Sequence, residues 1–141
     1  MRRCLFALAL CLGLAETVCG LDSESRRLAD RYLSILESKP LQQVAFDRLW
    51  KIHADAGETE TLVDACRKRA VENPLLYARV LQRAGQLTEA KRVLDEAAGS
   101  GNANAAEMLA GILEEEGGIR AAAELLEKVA AAHENQSLLV R

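Results

Sequence analysis

Three segments of this chain, each beginning at a glycine, superimpose without a gap, and that internal repeat constrains the fold more than any other feature. They cover residues 57–70, 85–98 and 117–130. The later two agree position by position: Leu87 with Ile119, Ala90 with Ala122, Val93 with Leu125, Leu94 with Leu126 and Ala98 with Ala130. These positions recur at helical spacing, so each segment predicts a helix with one apolar stripe. Ahead of each glycine stands a second amphipathic segment: Phe46, Leu49, Trp50 and His53, then Tyr77, Ala78 and Leu81, then Leu109, Ala110 and Leu113. A glycine just past the last apolar residue is the expected helix stop, because it takes the left-handed conformation without steric cost. The unit is therefore helix, glycine turn, helix. Neither helix buries its stripe alone, so pairs must form and stack.

Composition agrees with an all-α chain. Half of the 141 residues are hydrophobic but only 4% are aromatic, a balance carried by Leu, Ala and Val rather than by strand formers. The two prolines, Pro40 and Pro74, lie between apolar-periodic segments, where the missing N–H and the restricted preceding residue stop a helix. No β-branched run of period two occurs. Residues 21–39 predict a further helix, capped by Ser23 or Ser25, with Leu28, Tyr32, Ile35 and Leu36 as its apolar face. It is expected to end at Pro40 and to cover the exposed end of the first pair. At the other end, residues 135–141 look like the opening of another helix. Terminal repeats need a polar outer face, and Ser137-Leu-Leu-Val-Arg141 lacks one. The expectation is that the natural chain continues past Arg141 or that this end docks on another surface.

Taken together, residues 42–134 resemble the tetratricopeptide repeat family. Gly85, Ala90, Leu94 and Ala97 follow its pattern, with Ala78 as the small residue of the preceding helix. Gly117, Ala122 and Leu126 follow it with Ala110, and Val129 replaces the last alanine. The unit at Gly57 departs: Trp50 stands where a small residue belongs, Leu62 replaces the first alanine and Arg69 the second, although Phe46, Leu49 and the closing Pro74 fit. The glycine-to-glycine steps are 28 and 32 residues, shorter than the family's usual repeat of about 34. A shortened helix around Leu75–Arg83 explains the smaller step. The resemblance implies an all-α solenoid of about three antiparallel pairs over residues 41–134, wound as a right-handed superhelix. A Sel1-type repeat or another α-solenoid is the alternative.

Residues 1–20 read as a secretory signal peptide: Arg2 and Arg3, an apolar core from Cys4 to Ala15, then a small or polar group ending at Gly20. The core of about 12 residues is too short for a bilayer span, which takes roughly 20. Cleavage after Gly20 fits best, and placement beyond a bacterial cytoplasmic membrane, periplasmic or secreted, follows. The other reading makes Cys19 a lipidated N-terminus and the protein a membrane-attached lipoprotein. Cys4, Cys11 and Cys19 belong to the leader, so Cys66 is left alone after cleavage and reads as an inert core residue.

Little in the sequence points to catalysis. His53 and His133 have no Cys or carboxylate at metal-ligand spacing, and His53, on the apolar side of its helix, reads as a hydrogen-bonded packing residue. Gly99-Ser-Gly101 and Gly117-Gly118 follow helices, not strands, so they are not phosphate loops. Glu114-Glu-Glu116 reads as a solvated face, and the acceptor pattern Asn135-Gln-Ser137 as chance. The formal charge is −3, or −4 once residues 1–20 are removed, which offers nucleic acid little counterion-release energy. No enzyme activity, cofactor, metal or small-molecule substrate is expected. The resemblance instead implies a protein-interaction scaffold whose concave surface, lined by the first helix of each pair, takes a protein or peptide. The groove-facing candidates carried over from it are Asp47, Lys51 and Asp55, then Arg79, Gln82 and Arg83, then Asn104, Glu107 and Glu114. Arg79 and Arg83 lie one turn apart and share a face, so they are the candidates for bidentate contact with a partner's carboxylates. Ordinary solubilising charge is the competing reading. The rival functions are a docking region of a larger exported enzyme and a lipidated, membrane-tethered assembly factor.

Overall fold

The computed structural model describes residues 20–139, with side chains through Ala132. Residues 1–19, with Cys4, Cys11 and Cys19, and the side chains of His133, Asn135 and Ser137, lie outside the described residues. Among the described residues seven helices follow one another: α1 (Ser23–Ser38), α2 (Gln43–Asp55), α3 (Thr59–Arg67), α4 (Pro74–Arg83), α5 (Leu87–Gly99), α6 (Ala103–Glu115) and α7 (Ile119–Leu139). No strand occurs among the described residues, so the chain is all-α.

The helix stops are where the glycine spacing predicts them. Gly57, Gly85 and Gly117 have φ of 71°, 78° and 85°, and Gly101, at 90°, adds a fourth stop that the glycine-led alignment does not single out. After each glycine, the next N–H donates to a carbonyl five residues back: Glu58 to His53 at 2.8 Å, Gln86 to Leu81 at 2.9 Å, Asn102 to Ala97 at 3.1 Å and Gly118 to Leu113 at 2.7 Å. The glycine N–H itself donates to Ala54, Gln82, Ala98 or Glu114. That pair of bonds is the Schellman motif, which satisfies otherwise orphaned carbonyls and reverses the chain in very few residues.

Helix starts follow local chemistry as well. Pro74 occupies the first turn of α4, where its missing N–H costs nothing, and Asn102 accepts from the Ala105 N–H at 3.2 Å to cap α6. The cap of α1 is Asp22, not Ser23 or Ser25. Its carboxylate accepts from the Ser25 N–H at 2.7 Å, which places Ser23 and Ser25 inside the helix. A carboxylate here also meets the positive end of the helix dipole.

Each helix packs on the next in the chain, and α4 also touches α6. The contacts close over Leu36, Leu49, Leu62, Val63, Val80, Leu81, Leu94 and Ile112, all fully buried. Alanines 78, 90, 105, 106 and 122 are equally inaccessible; their small side chains let helix axes come close. Bonds between non-consecutive helices fix the direction of each. The Leu21 N–H meets Glu58, while at the far end of α1 Glu37 pairs with Arg69 and its carbonyl accepts from Asn73. Hence α1 runs alongside α3 in the same direction. Likewise Arg79 reaches Pro40 and Gln43, and Arg83 approaches Asp47, so α2 and α4 run the same way. Lys91 near the start of α5 pairs with Glu116 at the end of α6 at 2.9 Å, as antiparallel neighbours must.

Several expectations shift in detail. On α1 the buried residues are Ala29 and Leu36, flanked by Tyr32 and Leu33, whereas Leu28 and Ile35 are both 39% exposed. Small Ala29 lets α1 approach its neighbour, and one residue along a helix is a rotation of about 100°, which carries Leu28 and Ile35 to the rim. Leu87 and Ile119, at the first positions of α5 and α7, are exposed, and the buried stripe begins at Ala90 and Ala122. Leu94 is fully buried under α6, but its counterpart Leu126 is 38% exposed because no described helix follows α7. Residues 135–139 continue α7 rather than open a further helix. The shortened α4, ten residues against thirteen in α2 and α6, is as expected.

Two glycines separate backbone from packing effects. A Cβ at Gly85 or Gly111 would meet nothing within 4 Å, but only Gly85 has positive φ. Gly85→Ala is expected to lower the unfolding free energy by about 1–2 kcal/mol, the cost of a left-handed alanine. Gly111→Ala, inside α6, should raise it by about 0.5–1 kcal/mol. Urea denaturation of the two variants checks both signs.

Candidate functional site

The charged residues carried over as groove candidates lie on α2, α4 and α6, and the structure joins only some of them. Gln43 donates to Asp47 at 3.0 Å, Arg79 donates to Gln43 Oε1 at 2.7 Å, and Arg83 lies 3.9 Å from Asp47. These four side chains form one polar seam between α2 and α4. Lys51 pairs with Asp55 one turn on, at 2.8 Å, and both are largely exposed. Gln82 is half-buried, while Asn104, Glu107 and Glu114 on α6 are exposed and take no part in the α2–α4 seam.

Arg79 does not stand free for a partner. One terminal nitrogen donates to the Pro40 carbonyl at 2.6 Å and the other to Gln43, while the guanidinium carbon lies 4.1 Å from the centre of the Phe46 ring. Burial pushes its pKa down, with Asp47 opposing. Each terminal nitrogen thus gives a donor to Pro40 or to Gln43 and the π face meets Phe46, so Arg79 is engaged within the chain in a way that Arg83 is not. Arg83, half exposed and with only a long contact to Asp47, keeps its donors available.

A concavity lies elsewhere, between α3 and α5. It encloses about 740 Å³, with Tyr77, Val93 and Ala97 as an apolar floor and Arg67, Val71 and Arg92 among its walls. Its origin is the length of α3: nine residues ending at Arg67, against thirteen in α5. Where α3 lacks its last turn, Val71 is left 98% exposed. The walls are ordered by ion pairs. Arg67 donates to the Tyr77 hydroxyl at 3.2 Å and to Asp64 at 2.8 Å, and Arg92 bridges Glu89 and Glu96. Hydrogen bonding to Arg92 holds the Glu89 carboxyl below its ordinary range, and the Tyr77 bond raises Arg67. The group Glu89, Arg92 and Glu96 is legible as an i, i+3, i+7 ladder; the cleft behind it depends on where α3 stops, for which Arg69 in a small-residue position is the single sequence sign.

His53 and Cys66 are buried, as their apolar helix faces predict. Cys66 is pushed up to about 11 by desolvation, so its thiolate is scarce at neutral pH and the residue is inert. His53 departs from expectation in one respect: its Nδ1 has no hydrogen-bond partner. Burial lowers its pKa, with the neighbouring Glu58 and Asp30 opposing. Among the described residues, no group of three His, Cys, Asp or Glu is placed to hold a metal, and no helix is long and apolar enough to cross a membrane.

The contrast between the two arginines is measurable. Arg79→Ala is expected to cost about 1–2 kcal/mol in urea denaturation, through the lost ring contact and hydrogen bonds, whereas Arg83→Ala should cost at most about 0.5 kcal/mol. Compared with known proteins, the chain matches no family model, and no curated protein or solved structure matches it significantly.

Proposed function

We propose that this chain is an exported, non-enzymatic scaffold of the tetratricopeptide-like kind, an α-solenoid that binds a protein or peptide along the row formed by α2, α4 and α6. The observation that carries the reading is the four glycine turns closed by the same two hydrogen bonds, with parallel directions for α1 and α3 and for α2 and α4. Such repetition gives a preformed surface, and a preformed surface binds without the entropy of ordering itself. Recognition rests on Lys51, Gln82, Arg83, Asn104 and Glu107, with Arg79 as the brace that holds α4 against α2. Export follows from the leader pattern before Leu21.

The cleft between α3 and α5 supports a second reading, because an apolar floor under an Arg and Glu rim has the anatomy of a protein-binding patch. The two are separated by cross-linking the purified protein to its partner from the exporting cell. Lys51→Ala, Arg83→Ala and Glu107→Ala combined should weaken capture about tenfold, at about 0.5 kcal/mol for each rim charge, with Val71→Asp leaving it unchanged. Loss on Val71→Asp, with the triple variant unaffected, moves the site to the cleft. Capture insensitive to both sets contradicts the scaffold reading.

A further inference from the structure

Leu21 stands where the leader pattern puts the new N-terminus, and its backbone N–H donates to Glu58 Oε1 at 3.1 Å in a partly buried contact. Glu58 is the residue after Gly57, and its own N–H is tied to the His53 carbonyl at 2.8 Å. Its carboxylate is therefore presented from a fixed turn between α2 and α3. A Cβ at Gly20 would come within 3.3 Å of the same oxygen, so the glycine suits the close passage of the chain as well as the peptidase. Resting on the export reading, we propose that removal of the leader after Gly20 turns this amide–carboxylate hydrogen bond into an ion pair between the Leu21 α-ammonium and Glu58, which locks α1 onto the turn that joins α2 and α3.

The step is a hydrolysis by an export endopeptidase. The bond between the Gly20 carbonyl carbon and the Leu21 nitrogen breaks, water supplies oxygen to the Gly20 carboxylate, and the freed amine takes up a proton. At neutral pH one charge thus appears 3.1 Å from a carboxylate oxygen that already faces it, and an N⁺–H···O⁻ contact adds a full cation to a bond whose donor was an uncharged amide. The surroundings favour it. Asp22, capped onto Ser25, and Glu24 sit in the first turn of α1 and offset the repulsion between an ammonium and the helix dipole. Arg26, donating to the Leu21 carbonyl at 3.3 Å, is the opposing cation. On the side of α2, burial lowers the pKa of His53, with Glu58 itself and Asp30 of α1 opposing. The other end of α1 is held by Glu37 with Arg69 and Asn73, contacts that do not involve the new terminus. Processing alters the N-terminal anchor alone.

The test uses protein exported and processed by the producing cell, as wild type and as Glu58→Gln, which keeps an acceptor but removes the charge. Intact mass gives the N-terminal residue, and the pH dependence of α-amine acylation gives its pKa. The wild-type midpoint is expected about one unit above the ordinary 7.7–8.0, so acylation at pH 7 is about tenfold slower than in Glu58→Gln, whose midpoint is ordinary. A raised folded-state pKa stabilises the fold below about pH 8, and that stability is lost as pH rises through the raised value. The wild-type advantage over Glu58→Gln in urea should disappear accordingly. Equal midpoints with Leu21 as the N-terminus overturn the ion pair and leave the export reading intact. An N-terminus at Met1 overturns both, and one at any other residue overturns the ion pair alone.

Discussion

Four of the six connections between the described helices depend on a backbone conformation that only glycine takes freely. Four left-handed glycines end α2, α4, α5 and α6, and each spends two otherwise orphaned carbonyls of the preceding helix on the turn itself. The reversal is short because it needs no side chain, and a short reversal forces consecutive helices to lie antiparallel at contact distance. Apolar stripes set in register by those turns then meet, and alanines at the crossing points let them meet closely. The fold is thus a local rule applied repeatedly, with little long-range design beyond it.

The exceptions to the rule are where the molecule becomes individual. Arg79 spans from α4 to α2, two helices that are not neighbours in sequence, and combines a ring contact with two hydrogen bonds. It turns a stack of hairpins into a braced row. A missing turn of α3 does the opposite on the row of α3 and α5, opening a cleft floored by Tyr77 and Val93. At the N-terminal end, α1 is held from both ends by Glu58 and by Arg69 with Asn73. It occupies the place beside α3 that a preceding hairpin would fill.

Helix order, glycine stops and the stripe from Ala90 through Leu94 to Ala98 were legible in the sequence, since each depends on neighbours within one turn. What was not legible depends on a second helix. The face of α1 was misjudged by one residue because Leu28 and Ile35 are as apolar as Leu36, and only docking against small Ala29 decides between them. Asp22 caps α1 where Ser23 and Ser25 are the expected caps, and its carboxylate suits the helix dipole better. Arg79 and Arg83 looked equivalent, one turn apart on one helix; the Phe46 ring and the Pro40 carbonyl, more than thirty residues earlier, make one structural and leave the other free. The cleft followed from the early end of α3, for which sequence offered a single misplaced arginine.

The central claim is that helices two apart in the chain are braced into a row, and the Arg79 contact with Phe46 reports it directly. In an NMR spectrum of the purified protein, Arg79 side-chain protons should be shifted upfield by the Phe46 ring current and show cross-relaxation with the ring protons. Random-coil shifts for Arg79, with cross-relaxation confined to consecutive helices, would contradict the braced row.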